Sequence, residues 1–239
     1  MELIQFSIEG RFAHFLKAEA YCNAMSYPIP PRTVIVGILG AILGLEKDTP
    51  QVVLEPAFIS VSGKVPDTHW HRVKMRKDPP TAMPLKIIKT MKGSQKEQDP
   101  TLIRQEWLFN PSYTVWVSVP SEYQQKLCMR LKERSWHFGP SLGLSEMIAD
   151  IKFIDSFDCR KLQEGEYDVE SVIRRDQISV DTEAVFKEEL SILLINMPEK
   201  VTEERVFSHA SYLAERKGRP IPVKTCEAYS VSNKVIMFL

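Results

Sequence analysis

Three prolines within four residues open the stretch Tyr27-Pro-Ile-Pro-Pro-Arg-Thr33, and a glycine-punctuated apolar run from Val34 to Leu45 follows it. No other part of the chain restricts the backbone so narrowly. Each proline fixes its own φ and biases the residue before it away from helix, so the approach is extended and rigid. Pro31 suits the first helical position, where a missing N–H costs nothing, and the pattern predicts a helix over 31–45. Gly37, Gly40 and Gly44 lie inside it. Each costs about 1 kcal/mol relative to alanine, which close packing on a sheet would offset. The same helix start, with free N–H groups and a positive dipole end, also suits a phosphate. Both readings stand at this point.

Around that helix the chain reads as alternating strands and helices. Leu3, Ile4, Phe6 and Ile8 alternate as a strand ending at Gly10; Val52 to Ser62 reads as a second strand, with Pro56 marking an edge or bulge. Tyr113 to Val119 is the clearest strand, Pro120-Ser-Glu starts a helix, and Ile151 to Asp155 closes the series. Strand, helix, strand, strand, helix, strand is a split βαβ, and the fold class is α+β: a ferredoxin-like (RRM-like) βαββαβ domain over residues 1–158. Residues 63–110 interrupt it. A loop of that length needs structure or function of its own, and 70–76 and 85–91 are expected to pair as a protruding hairpin around Asp78-Pro79-Pro80. Residues 159–239 are expected to form a smaller β-rich domain, with strand candidates at 171–180, 190–195, 228–231 and 235–239 and a short helix at 203–217.

Charge is where function first shows. The formal net charge is zero, but it is segregated: residues 62–140 carry 14 basic and 7 acidic side chains, residues 141–211 carry 8 and 16. Local fields, not the total, steer a polyanion. In an extended segment Arg72, Lys74 and Arg76 share one face, at steps of about 6.6–6.8 Å that suit successive phosphates. Lys86 and Lys89 add to the same excursion, and Trp70 offers a π-face for a splayed base. Alternatively, such lysines and arginines only protect an exposed hairpin edge. No aromatic-rich RNP-like strand is present, so RNA contact through the open face of the sheet is not expected. Phe138-Gly-Pro-Ser-Leu-Gly-Leu-Ser-Glu146 reads as a turn able to cradle a phosphate, with Ser145 equally suited to cap a helix.

For catalysis, His14, His69, His71, His137 and His209 are the histidines available. Metal-independent RNA cleavage needs a base for the 2′-OH and an acid for the leaving oxygen; His69 and His71, on one side of a strand, are the pair that suits it. No acidic pair at metal spacing, no Ser-His-Asp arrangement and no nucleotide fingerprint is present, and no cofactor is expected. The four cysteines are scattered without a C-x-x-C pair, as reduced, buried thiols would be. The start of the chain does not read as a signal peptide, and the longest apolar run is too short to span a bilayer, so a cytoplasmic location is expected.

Gly10-Arg-Phe-Ala-His-Phe15, then Tyr27 to Thr33 with its glycine-containing helix, and Leu142-Gly-Leu-Ser-Glu146 about a hundred residues later, together resemble the CRISPR-associated Cas-five family. The resemblance spans most of the first 155 residues. It implies a RAMP-type subunit of a type I Cascade complex, of the type I-B variety, that binds and caps the 5′ handle of crRNA and is not an enzyme. It also implies a β-hairpin "thumb" within residues 63–110, contact with the backbone subunit and with the large, PAM-reading subunit, and only indirect contact with target DNA. On that basis Arg32 and Thr33 are expected to hold handle phosphates, and Arg11 and the 139–146 loop, with Ser141, Gly143 and Ser145, to close over handle bases; His14 and Tyr27 are expected to contact RNA as well. Trp70, Arg72, Lys74 and Arg76, with Lys86 and Lys89, are expected to set the thumb against RNA. One branch of the family cleaves precursor CRISPR RNA, and His69 and His71 are the residues that reading would use.

Overall fold

A computed structural model describes residues 1–17, 23–75, 101–202 and 204–239. Alternation in the first residues forms β1 (Glu2–Glu9), which turns Ile4, Phe6 and Ile8 inward. Two short strands, β2 (Phe12–Ala13) and β3 (Asn23–Ala24), precede helix α1 (Arg32–Leu43), which begins directly after the prolines. A one-turn helix α2 (Pro50–Val53) leads to β4 (Phe58–Ser62). The strand expected from Val52 is therefore corrected at its first half. Pro50 sits in the opening turn of α2, where proline is favoured, and only the residues beyond Pro56 and Ala57 reach the sheet.

Strands β5 (Asp67–Met75) and β6 (Thr101–Phe109) pair antiparallel over nine residues. The protruding hairpin thus has a described base, but the partner of β5 is β6; residues 85–91, expected in that role, lie outside the described residues. Next come β7 (Ser112–Ser118) and α3 (Ser121–Glu133), which buries Leu127 and Leu131 one turn apart, and then the long β8 (Asp150–Lys161). The remaining elements are β9 (Gly165–Val169), β10 (Ile173–Arg174), β11 (Ile178–Val180), α4 (Thr182–Lys187), β12 (Ile192–Val201), β13 (Phe207–Glu215), β14 (Ile221–Thr225), β15 (Tyr229–Val231) and β16 (Lys234–Ile236).

The strands form a nine-stranded sheet in the order β11–β14–β9–β16–β15–β8–β1–β7–β4, a three-stranded sheet β10–β13–β12, and a third in which β6 carries β5, β2 and β3. The fold is a strand-rich mixture of α and β. The boundary expected after residue 158 falls inside β8, whose first part pairs with β1 and whose last residues pair with β15. The core is shared in the same way. Ile35, Val36, Leu39 and Ile42 of α1 belong to one buried cluster with Phe6, Val115 and Val117 of the large sheet and with Ile195, Met197, Tyr212 and Ala214 of β12 and β13. A helix apolar on most of its surface is one covered on more than one side.

Two of the helix glycines are explained by packing and by a turn. A Cβ at Gly40 would lie 2.3 Å from Pro50 Cγ, so α2 seats on α1 only over a bare backbone. Gly44 ends the helix in the left-handed conformation, φ 76°. A Cβ at Gly37 would meet nothing, so close packing is not its reason. The helix expected over 203–217 is instead strand β13. Residues 212–215 are buried in succession, and a segment covered on both faces shows no alternation by which sequence could separate strand from helix. The thiol expectation is corrected at one position: Cys159 is buried and Cys128 half-buried, but Cys226 is exposed. Among the described residues no helix is long and apolar enough to cross a membrane.

Candidate nucleic-acid interface

The two sequence blocks separated by more than a hundred residues meet. The backbone N–H of His14 donates to the Leu142 carbonyl at 2.9 Å, and a Cβ at Gly143 would lie 1.9 Å from the His14 carbonyl oxygen, at a φ of 103°. Only glycine fits both the space and the torsion. The turn is closed by Leu142 N–H to Met147 O at 2.7 Å and by a bridge between Ser141 and Ile148. Ser145 is exposed and its hydroxyl donates to Glu146 at 3.3 Å; no helix follows, so it caps nothing.

His14 is only 3% exposed. Its Nδ1 lies 2.8 Å from the Glu106 carbonyl of β6. A carbonyl only accepts, so Nδ1 carries a proton and donates it to β6, leaving Nε2 as the ring nitrogen not spent on that bond. Ser26 reinforces the junction: its N–H donates to the Glu106 carboxylate and its Oγ accepts from Phe15 N–H. The prolines are tied down from the sheet, where the buried Tyr113 hydroxyl donates to Pro28 O at 2.9 Å. Burial pushes that phenol's pKa up, which keeps it a donor.

These contacts leave a cleft of about 600 Å³. The start of α1 contributes Pro31 and Thr33, the glycine turn Gly143, β6 Ile103 and Gln105, and the β12–β13 hairpin Phe207 and His209. Among the expected site residues, His14, Tyr27, Thr33 and Gly143 come together here. Tyr27 is buried, with Lys17 Nζ 5.4 Å from its ring centroid. Ser141 and Ser145 flank the turn without lining the cleft.

Arg32 is the clear correction. It is 6% exposed and its guanidinium donates to the carbonyls of Glu55 and, at 3.0 Å, Ala57. Burial lowers its pKa, with Glu55 acting in the other direction. A side chain committed to two carbonyls beneath the surface holds the α2–β4 turn and is not available to a phosphate.

On the hairpin, cross-strand partners share a face. One face carries Trp70, 47% exposed and opposite Glu106, whose carboxylate is held by Ser26 N–H, with Arg72, Lys74 and Arg104, all exposed. Arg72 stands directly opposite Arg104, and neither forms an ion pair among the described residues. The other face carries His69 and His71 with Gln105 and Trp107. There the His71 ring stacks on Trp107 at 4.2 Å, Trp107 meets Phe12 at 5.3 Å, and Arg11 lies 5.5 Å from the Phe12 centroid. Arg76, Lys86 and Lys89 lie outside the described residues. Sequence reasoning counted Arg104 among the basic residues without singling it out, named His209 only among the available histidines, and missed Gln105 and Phe207. Arg104 was detectable only through pairing register, and the others only through which strands border the cleft.

Compared with known proteins, residues 3–217 match the sequence model of the CRISPR-associated protein (Cas_Cas5) family. Among solved structures, a CRISPR protein from Archaeoglobus fulgidus is similar with a TM-score of 0.54 at 10% identity, covering 99% of this chain and 98% of that one. A chain of a CRISPR RNA-guided surveillance complex gives 0.50 at 11%, covering 92% and 91%. At such identities these likenesses show a shared fold. A search of curated proteins returns no match.

Proposed function

This chain belongs to the CRISPR-associated Cas5 family, and from that premise we propose that it is a non-catalytic subunit of a type I Cascade complex, of the I-B variety, that binds and caps the 5′ handle of crRNA. The observation that carries this is the exposed Arg72–Arg104 pair. Like charges directly opposite on a sheet destabilise it, and a phosphate placed between them removes the repulsion. Trp70 on the same face offers stacking for a neighbouring base. The antiparallel order β8–β1–β7–β4, with α1 and α3 in the two crossovers, supports a ferredoxin-like reading of the first part of the chain. Backbone and large Cascade subunits are the protein partners this role requires, and the acidic 141–211 segment suits a basic one among them.

The nuclease alternative rests on His69 and His71, which share a face of β5. The stacking of His71 on Trp107 suits a ring held in place better than one shuttling protons. Incubating purified protein with labelled repeat RNA in EDTA tests both readings at once. Binding of the processed handle without cleavage is the expected result. A single cut within the repeat, lost in His69→Ala or His71→Ala, would replace the capping role with processing.

A further inference from the structure

We propose that the cleft holds one unstacked nucleobase, and that Gln105, Phe207 and His209 determine which base it accepts; this rests on the reading that the chain binds single-stranded RNA. About 600 Å³ falls in the range of small-ligand sites, roughly 300–1,000 Å³. The cleft is mostly apolar, with Phe15, Tyr27 and Val34 in its walls, so its few polar groups select what enters.

Two of those groups are fixed by their other bonds. His14 spends Nδ1–H on the Glu106 carbonyl, which fixes the ring and leaves Nε2 as its remaining polar atom. Gln105 is 8% exposed, and its Oε1 accepts from Trp107 Nε1–H at 3.2 Å. Its amide NH2 is thereby left as the donor. A fixed amide donor and a fixed imidazole nitrogen lining the same cleft suit the edge of a base, where N–H and lone-pair positions lie side by side. A base lacking that pattern would leave a nearly buried polar group unpaired, which costs more than a missed surface contact.

The stacking surface comes from the far end of the chain. Phe207 is 46% exposed yet borders the cleft. His209 stands opposite Pro198 across the β12–β13 ladder, whose register shifts just beyond Pro198, and both residues line the cleft. Along β6 successive side chains point to opposite faces. Arg104 therefore serves the cationic face of the hairpin while Gln105 serves the cleft, so backbone attraction and base selection use separate surfaces and separate nucleotides.

The test uses the full chain and a fluorescent single-stranded RNA carrying the 3′ part of the host repeat, scanned with single abasic positions. One position is expected to weaken wild-type binding by roughly tenfold or more. Phe207→Ala is expected to weaken the intact RNA by a similar factor and to add nothing when that base is already absent. Gln105→Met is expected to reduce discrimination among bases at that position to within about twofold; His209→Ala replaces Phe207→Ala if that variant does not melt cooperatively. A flat abasic scan, or an abasic penalty unchanged in Phe207→Ala, would overturn the cleft proposal. RNA binding as such would then still stand if Arg72→Ala lowers the salt slope. Wild-type protein that binds no RNA overturns both.

Discussion

At the scale of single residues, Arg32 and Gly143 show how one motif can contain opposite roles. Arg32 reads as a phosphate ligand because an arginine follows two prolines at a helix start, yet it bonds inward to Glu55 and Ala57. Arg32→Met keeps the stem and removes the donors, leaving two carbonyls short of a partner. It is expected to cost about 2–4 kcal/mol in urea denaturation while leaving the salt slope of RNA binding unchanged. A change in that slope without loss of stability would show that Arg32 meets phosphate after all. Gly143→Ala meets both a 1.9 Å clash with the His14 carbonyl and a φ of 103°. The torsion alone is worth roughly 1–3 kcal/mol, and the clash must push the turn from the Gly10–Phe15 segment. Lower thermal stability together with weaker RNA binding is expected, since the same contact shapes the cleft.

At the scale of elements, the β5–β6 hairpin and the end of β13 make separate predictions. For a single-stranded ligand each phosphate contact contributes about 0.7 to the slope of log affinity against log salt. Arg72→Ala and Arg104→Ala are each expected to lower the slope by about that amount. Both are expected to leave the free protein as stable or slightly more so, because one member of a repelling pair is gone. An unchanged slope in both variants would reduce the hairpin charges to edge protection. Glu215 closes β13 by accepting from the N–H groups of Ser191, Lys217 and Arg219 and from the Arg219 guanidinium. Burial pushes its carboxyl up, but these donors outweigh burial and hold it below the ordinary value of 4.5. A carboxylate with a lowered folded pKa adds stability that is fully present above its unfolded value and is lost as pH falls through the folded one. Stability is therefore expected to fall with acid below about pH 4.5, and Glu215→Gln to be less stable at neutral pH and less sensitive to acid. Equal acid sensitivity in the two proteins would place the effect elsewhere.

At the scale of the whole molecule, β8 runs through the expected boundary and α1 is buried by elements on both sides of it in sequence. Residues 1–158 alone would leave the β12–β13 side of α1 bare, so the full chain is expected to melt in one transition and the 1–158 fragment to lack a cooperative melt. Two separate transitions would restore the division. The local elements with a strong pattern were legible before any fold was known: β1, α1, β7, α3 and β8 follow from alternation, proline placement and helical spacing, because those signals act between near neighbours. The sequence also carried the motif blocks that mark the family. That 207–215 is a strand, that Arg104 faces Arg72, that Arg32 points inward and that Phe207 and His209 border the cleft beside His14 emerged from the folded chain. Each of those depends on which distant segment lies alongside, and register and burial are set by that partner rather than by the residues themselves.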